Sequence, residues 1–140
     1  MPAIKVKKAT EQADLDKINQ IRYEVFVVEQ NCPPHLEVEY NDESVHFLAT
    51  VNGEPAGACR WRKTEKGCKL ERFAVLKNFR GYGLGQEMVK TVLADLPADA
   101  GYVYLNSQTH AVPFYKKLGF ETSGPEFEEA GIKHYQMVKK

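Results

Sequence analysis

The chain has few of the features that mark secreted, membrane-bound or nucleic-acid-binding proteins. Its 140 residues contain no long apolar run, so no membrane span is expected. The first residues, 1–8, lack the apolar stretch of a signal peptide. Lys and Arg together number 19, as do Asp and Glu, and no basic arm or face points to nucleic acid. We therefore expect neither a membrane nor a nucleic acid among its partners.

Cysteine is also scarce, and its positions indicate neither a disulfide framework nor a metal site. Cys32, Cys59 and Cys68 are odd in number and lack metal-ligand spacing. Reduced thiols of this kind are typical of a cytoplasmic protein. We therefore predict a cytoplasmic location, no metal, and structural roles for the three thiols. With 43% hydrophobic residues, the chain is long enough to bury one core, and residues 1–140 are predicted to form a single domain.

The hydrophobic pattern predicts seven strands and three helices in one continuous order. Leu15, Ile18 and Ile21 recur at helical spacing, and Asn52-Gly53 is a strong hairpin signal between two alternating runs. The predicted fold is α+β with a mixed sheet, in the order β-α-β-β-β-α-β-α-β-β. The predicted strands are 4–8, 45–51, 54–62, 68–75, 102–106, 120–123 and 133–138, and the predicted helices are 15–26, 84–96 and 113–118.

The most informative motif is the hexapeptide from Arg80 to Gly85, Arg-Gly-Tyr-Gly-Leu-Gly, between a predicted strand and a predicted helix. Glycines let the backbone approach a ligand closely, and the first N–H groups of a helix have no intrahelical partner. The segment therefore predicts a phosphate-binding turn. It is not a P-loop, and it does not match a dinucleotide fingerprint, because Gln86 and Glu87 follow the last glycine. An ordinary glycine-rich turn is the alternative on this segment alone.

A second segment, 110–120, has the form of a short helix, with Pro113 in its first turn and Gly119 just past its end. The pattern Arg-x-x-Gly-x-Gly, followed at a distance by Phe-Tyr-x-x-x-Gly-Phe, resembles the GNAT N-acetyltransferases. Residues 22–33 and 129–137 are similar to one bacterial subgroup of that family, the ElaA-like and YjcF-like proteins. The resemblance covers most of the chain and implies the GNAT acyl-CoA N-acyltransferase fold, whose central sheet is splayed.

The resemblance implies acetyl-CoA as the co-substrate and assigns its contacts. The glycine loop would hold the diphosphate through its N–H groups. The backbone of the fourth strand would pair with the pantetheine arm, and Asn106 would contact the same arm. The residues so assigned are Phe73, Ala74, Val75, Arg80, Gly81, Tyr82, Gly83, Leu84, Gly85, Asn106, Phe114 and Tyr115.

The same resemblance implies the catalytic groups. The backbone N–H of Phe73 would face the thioester carbonyl and stabilise an oxyanion. Tyr115 would protonate the departing thiolate, although a core aromatic is the alternative. An amine must lose a proton before it attacks, so a base is required. Glu71 is two residues before Phe73 and is predicted on the same side of the strand, with Glu29 and His110 as alternatives. A solvent-facing, ion-paired Glu71 is equally compatible with the sequence.

The predicted function is transfer of an acetyl group to a primary amine by direct attack in a ternary complex. The alternatives are an acyl-enzyme on cysteine, a GNAT-fold acetyl-CoA sensor without turnover, and an unrelated α+β phosphate binder. The acceptor site is expected between the first helix, the loop at Pro33-Pro34 and the last hairpin, and a homodimer through an exposed edge is also open. The predicted substrate contacts are Phe26, Glu29 and His110.

Two acidic segments near the expected acceptor site would attract a cationic amine. A polyamine, an aminoglycoside, an amino acid and a protein amine all stay open as acceptors, because charge runs are often only solvated faces. The acidic residues concerned are Glu37, Glu39, Asp42 and Glu43 in one segment, and Glu126, Glu128 and Glu129 in the other.

Overall fold

The structure is a computed structural model that describes residues 3–33, 43–129 and 131–139. The predicted strands and helices are all present, and most of their ends fall within a few residues of the predicted ones. The strands are β1 Ile4–Ala9, β2 Val45–Val51, β3 Glu54–Lys63, β4 Cys68–Val75, β5 Val103–Gln108, β6 Phe120–Glu129 and β7 Ile132–Lys139. The helices are α1 Gln12–Arg22, continued by a π-helical segment Tyr23–Glu29, then α2 Leu84–Asp95 and α3 Val112–Lys117.

One sheet holds the seven strands in the order β1-β2-β3-β4-β5-β7-β6. The β4–β5 pair is parallel and the other pairs are antiparallel, which confirms the predicted α+β mixed sheet. Asn52 and Gly53 both have positive φ, 51° and 84°, as a two-residue type I′ hairpin turn requires. The predicted sixth strand is too short, because pairing is interrupted after Ser123 and resumes at Phe127.

The sheet separates two hydrophobic cores. Phe47, Leu70 and Met88 belong to the larger core, which contains the buried face of α2. Ile18 and Ile21 of α1 belong to the smaller core. Gly57 on β3 allows α2 to lie close, because an added Cβ would come within 2.9 Å of the Ala74 carbonyl oxygen and 3.3 Å of the Met88 side chain.

The sheet opens between β4 and β5. These strands pair only from Cys68 to Leu70 and from Val103 to Leu105. On the other side of β4, its register with β3 shifts between Ala58 and Arg60, opposite a residue of β4 with positive φ, Arg72 at 60°. Such a bulge bends the strand and increases its twist. The splayed central sheet is therefore present, and it opens a gap beyond Leu70.

Candidate active site

A cavity of about 520 Å³ lies where β4 and β5 separate, and we call it the cleft. Its wall on the β4 side includes Phe73, and its wall on the β5 side includes Asn106. Tyr115 of α3 also lines it, as does Phe26 of the π-helical segment, so the cleft reaches both the α3 side and the α1 side of the sheet. The gap predicted for the pantetheine arm is therefore a real cavity bounded by predicted site residues.

The glycine loop leads into α2. Gly83 caps the helix in the left-handed region, with φ at 86°, and Gly81 is similar at 93°. An added Cβ at either position would meet nothing within 4 Å, so the backbone conformation, rather than crowding, requires glycine there. The first hydrogen bond of the helix is donated by the N–H of Glu87 to the Gly83 carbonyl. The N–H groups from residue 84 to 86 thus have no helical acceptor and suit an anion.

Gly85 connects the loop to the second motif. An added Cβ on Gly85 would come within 3.1 Å of the Phe114 ring, so glycine lets α3 rest on the first turn of α2. Phe114 in turn contacts Tyr115 edge-on, with ring centroids 5.0 Å apart. The side chains of Phe114 and Tyr82 are exposed, whereas those of Leu84 and Ala74 are buried and leave only their backbone for a ligand.

Arg80 contacts the π-helical segment as well as the strand before the loop. Its Nε donates to the Val75 carbonyl at 3.0 Å, and its Nη2 donates to both carboxylate oxygens of Glu29 at 2.9 and 3.0 Å. This pairing brings Glu29 to the glycine loop. Glu29 is not among the described residues that line the cleft, and its contact with an acceptor stays a prediction.

Tyr115 is both a core aromatic and a cleft residue, so the two sequence interpretations are compatible. Only 9% of it is exposed, and Phe73 and Phe120 contact its ring edge-on at 6.2 and 6.0 Å. Burial raises the pKa of Tyr115 well above its ordinary value, and neighbouring Cys59 adds to the rise. The phenol therefore keeps its proton at neutral pH, as a proton donor must.

Asn106 follows the last residue of β5 that pairs with β4. Its amide oxygen is buried and has no hydrogen-bond partner among the residues that the structure describes. Leaving such an acceptor unsatisfied costs about 1–3 kcal/mol, which a ligand N–H would recover. Across the gap, the stretch from Phe73 to Val75 has no β5 partner within the described sheet. Both features fit an amide-containing chain lying in the cleft.

The prediction that Glu71 and Phe73 lie on the same side of β4 is wrong. Leu70 and Phe73 both contact the larger core, whereas Ala74 belongs to the smaller one. Regular alternation would put Leu70 and Ala74 on the same face. Because the bulge at Arg72 adds a residue to β4, alternation reverses there, and Glu71 shares the face of Ala74 instead of that of Phe73.

Three cations surround the Glu71 carboxylate. Arg60 donates to it through Nε at 2.6 Å and also through Nη2, and Arg62 and Lys69 each approach within 3.2 Å. Burial alone would raise the pKa of Glu71, but the three cations outweigh burial and lower it to about 2. A carboxylate with so low a proton affinity is a poor general base. The geometry favours the ion-paired interpretation, although here the ion pair is buried.

Of the predicted substrate contacts, Phe26 and His110 line the cleft. The guanidinium of Arg72 lies 5.6 Å from the centroid of the buried Phe26 ring. His110 stands exposed on a short 3₁₀ turn, Thr109–Ala111. The rest of the predicted acceptor loop, from Pro34 onward, lies outside the described residues, as do three of its acidic residues, Glu37, Glu39 and Asp42.

Sequence reasoning missed several side chains that line the cleft. His134 of β7 is one, with its ring stacked on Phe127 and its Nδ1 2.7 Å from the Ile132 carbonyl. Since a carbonyl only accepts, Nδ1 carries a hydrogen in this contact. A group of basic residues that line the cleft was missed as well. Its pairing with Glu71 could have been found from the turn near Gly67, because that hairpin puts residue 60 opposite 71. The basic residues concerned are Arg60, Arg62, Lys69 and Arg72.

The three cysteines are buried, as expected of structural thiols. Burial raises the pKa of Cys59 strongly, and it also raises that of Cys68, against the effect of Lys63 and with that of Asp99. Protonated thiols are weak nucleophiles, which disfavours an acyl-enzyme on either residue. Within the described parts of the chain, no three His, Cys, Asp or Glu side chains are grouped as a metal site needs, and no helix is long and apolar enough to span a membrane.

Comparison with known proteins agrees with this geometry. A family model described as an acetyltransferase (GNAT) domain matches residues 7–140. The chain belongs to the GNAT family. The uncharacterized N-acetyltransferase YjcF of Bacillus subtilis is 46% identical over 123 residues, covering 85% of this chain and 87% of YjcF. This GNAT protein is also 31% identical over 134 residues to ElaA of Escherichia coli, covering 86% and 84% of the two chains, so the predicted bacterial subgroup is confirmed.

The GNAT fold is confirmed by a solved structure. An acyl-CoA N-acyltransferase from Pseudomonas aeruginosa superposes with a TM-score of 0.84 at 28% identity, covering 100% of each chain. Family and fold together make the protein an N-acetyltransferase. The alternative of an unrelated phosphate binder is therefore wrong. The single domain over residues 1–140 stays a prediction.

Proposed function

We propose that the protein transfers the acetyl group of acetyl-CoA to a primary amine by direct attack in a ternary complex. One observation carries the proposal: the unpartnered oxygen of Asn106 and the protonated phenol of Tyr115 line the same cleft. The glycine loop stands next to that cleft through the contact between Gly85 and Phe114. The two motifs that resembled the family in sequence thus meet in space.

Different residues would bind different parts of acetyl-CoA. The N–H groups of residues 84–86 would hold the diphosphate, since that helix terminus is anion-binding by geometry. Asn106 would accept a hydrogen bond from an amide of the pantetheine arm. The backbone from Phe73 to Val75, which lacks a strand partner on that side among the described residues, would pair with the same arm.

The chemistry would then need two groups of the protein. As the amine nitrogen bonds to the thioester carbon, the N–H of Phe73 donates to the carbonyl oxygen, on which negative charge develops. As the carbon–sulfur bond breaks, Tyr115 gives its proton to the sulfur, which keeps the electron pair. The proton lost by the amine passes to a base or water and restores the phenol. Of the three bases predicted from sequence, His110 and Glu71 line the cleft, and the cations around Glu71 make that carboxylate the poorer base.

The test is Tyr115→Phe, with Tyr102→Phe as its control. Tyr102 is partly exposed and its hydroxyl bonds Gln136, outside the cleft lining. We expect Tyr115→Phe to lower kcat by about a hundredfold or more while calorimetric binding of acetyl-CoA persists, and Tyr102→Phe to behave as the wild type. Acetyl-CoA binding without turnover of any amine by the wild type would instead support the sensor alternative. No binding to the wild type would contradict both.

We include in the proposal a cytoplasmic location and no metal, both of which rest on the sequence. A homodimer also stays a prediction. The structure offers β6 as an edge strand, and most of its residues are exposed. Such an edge can pair with a second copy.

A further inference from the structure

A histidine buried in the wall of the cleft has no part in the steps described so far. His134 of β7 lines the cleft, and only 8% of it is exposed. It belongs to residues 129–137, one of the two segments by which the sequence resembles its bacterial subgroup. Imidazole takes up and releases protons near neutral pH and is the side chain used most often as a general base. A buried imidazole in this cleft therefore suits the base that amine transfer requires.

His134 faces the α1 side of the sheet, where the acceptor site was predicted. The pairing of β5 with β7 puts Met137 opposite Leu105, and both belong to the larger core. Because side chains alternate along a strand, His134, three residues earlier, lies on the other face with its direct partner Gln108. The Gln108 amide agrees with this placement, because it donates at 2.9 Å to the side chain of Gln30, at the end of the π-helical segment.

Three contacts fix the orientation of the His134 ring. Nδ1 donates to the Ile132 carbonyl at 2.7 Å, and the ring stacks on Phe127 with the two centroids 5.8 Å apart. Nε2 lies 3.8 Å from a carboxylate oxygen of Glu129, which is too far for a hydrogen bond. In the neutral ring, Nε2 therefore keeps a lone pair that can take up a proton, and the resulting cation would lie beside a carboxylate.

The charged groups around His134 come from each element that lies near it. Glu129 of β6 is the only carboxylate of a described residue within 4 Å of the ring. On β7, Lys133 is 70% exposed and approaches Glu126 instead. The turn that carries His110 also contacts β7. On the β4 side of the cleft, Glu71 lies among the basic residues of the lining, Arg60, Arg62, Lys69 and Arg72.

His110, the other histidine of the cleft lining, is not held in the same way. It is exposed on its 3₁₀ turn, and with the other described residues its side chain makes no hydrogen bond, ion pair or ring contact. A base must keep its nitrogen within hydrogen-bond reach of the proton that it removes. A ring already held in place meets that requirement at a lower cost in conformational entropy. The geometry therefore favours His134 over His110.

We propose that His134 is the base of the transfer reaction and takes a proton from the acceptor at Nε2. This inference rests on the proposed function. The acceptor arrives as an ammonium ion, and one N–H bond breaks, so that its electron pair stays on nitrogen for the attack and the proton moves to Nε2. The imidazolium then lies beside the Glu129 carboxylate and releases its proton to water. A second proton, lost by the nitrogen after the attack, restores the phenol of Tyr115.

His134→Asn tests this assignment, because an asparagine amide can still donate to the Ile132 carbonyl but is not a base. The probes are acetyl-CoA and whichever primary amine the wild type acetylates best among spermidine, kanamycin, the common amino acids and a lysine-containing peptide. We expect kcat/KM at pH 7 to fall about a hundredfold or more, while calorimetric binding of acetyl-CoA persists. Lys133→Gln, at the exposed neighbouring residue outside the cleft lining, is the control and should behave as the wild type.

The pH profile distinguishes a missing base from a damaged fold. Without a base, only amine that is already deprotonated in solution reacts, so kcat/KM of His134→Asn should rise about tenfold per pH unit until the pH nears the pKa of the amine, about 10. The wild type should level off above neutral pH, and the difference between the two proteins should shrink as the pH rises. A structural defect would lower kcat/KM by the same factor at every pH. His134→Gln repeats the measurement with a longer amide.

The outcomes separate this inference from the proposed function. A deficit that does not change with pH, or the expected profile in His110→Asn while His134→Asn keeps its activity, would overturn the inference alone. Loss of acetyl-CoA binding in both His134 variants would make the residue structural and would overturn it as well. A wild type that binds acetyl-CoA but acetylates none of the amines would instead overturn the proposed function.

Discussion

The two sides of the cleft differ in the chemical groups that they present. The glycine-loop side uses backbone: left-handed glycines at 81 and 83 and N–H groups at the start of α2. The opposite side uses charged side chains from β3 and β4, held around Glu71. A backbone site depends on conformation and tolerates few residue types, whereas a side-chain site depends on which residues face each other across strands. Substitutions on the glycine-loop side should therefore act through backbone conformation, and those on the other side through the loss of charged contacts.

The largest effect is expected for Glu71→Gln. Removing this carboxylate leaves Arg60, Arg62 and Lys69 facing one another in a buried site without their shared partner. We expect the free energy of unfolding to fall by about 3–5 kcal/mol, measured by urea denaturation. Glu126→Gln is the control, because its ion pair with Lys133 is largely exposed and should contribute less than about 1 kcal/mol. A variant that kept its stability but lost all turnover would instead restore Glu71 as the base.

The second effect is a loss of stability in acid that comes from the same carboxylate. The pKa of Glu71 falls from an ordinary 4.5 to about 2 on folding, so the folded state is favoured where the group is ionised. That contribution, about 3 kcal/mol, is complete above the unfolded pKa and is lost as the pH falls from about 5 to about 2. We expect denaturation midpoints to show this decline in the wild type and a shallower one in Glu71→Gln. Equal slopes in the two proteins would contradict it.

The third prediction addresses the backbone side with two matched glycines. Gly83 and Gly53 have φ of 86° and 84°, and an added Cβ at either would meet nothing within 4 Å. Alanine at either position should therefore cost a similar 1–2 kcal/mol or so of stability, by the same conformational strain. Of the two variants, only Gly83→Ala should also weaken the binding of acetyl-CoA, because Gly83 belongs to the glycine loop and Gly53 does not. If calorimetry showed that Gly53→Ala weakens acetyl-CoA binding equally, the weaker binding would follow from lost stability and not from the shape of the loop.

The difference between the two sides also explains what the sequence could predict. The loop and Tyr115 could be assigned roles from sequence because the glycine spacing and the Phe-Tyr pattern are local along the chain, and Asn106 because of the family resemblance; these roles stay predictions. The placement of Glu71 was wrong because it assumed regular alternation, and the bulge at Arg72 is a positive φ at a residue that gives no sequence signal for it. The ion pairs around Glu71 depend on the register of β3 with β4, in which Arg60 lies opposite Glu71; the turn near Gly67 indicates that register, whereas strand alternation alone does not. The contact of Glu29 with Arg80 joins residues 51 positions apart, and no local pattern specifies it.

The smallest effect concerns that contact, which joins the helix before the acceptor loop to the glycine loop. Arg80 donates to Glu29 through one nitrogen, and both side chains are substantially exposed. A diphosphate would compete with the Glu29 carboxylate for the same guanidinium. We expect Glu29→Gln to tighten acetyl-CoA binding about two- to fivefold, within the range of an exposed ion pair, and Arg80→Gln to weaken it.

A double-mutant cycle isolates the competition between Glu29 and the diphosphate. If Glu29 acts on acetyl-CoA only through Arg80, Glu29→Gln should have no effect on affinity in the Arg80→Gln background. The same gain in both backgrounds would instead mean that the Glu29 charge repels the diphosphate directly through solvent. Raising the salt concentration distinguishes the two further, because long-range repulsion is screened more strongly than a contact pair. Coupling through Arg80 would mean that a residue on the helix leading into the acceptor loop sets how firmly the opposite side of the cleft holds its anion.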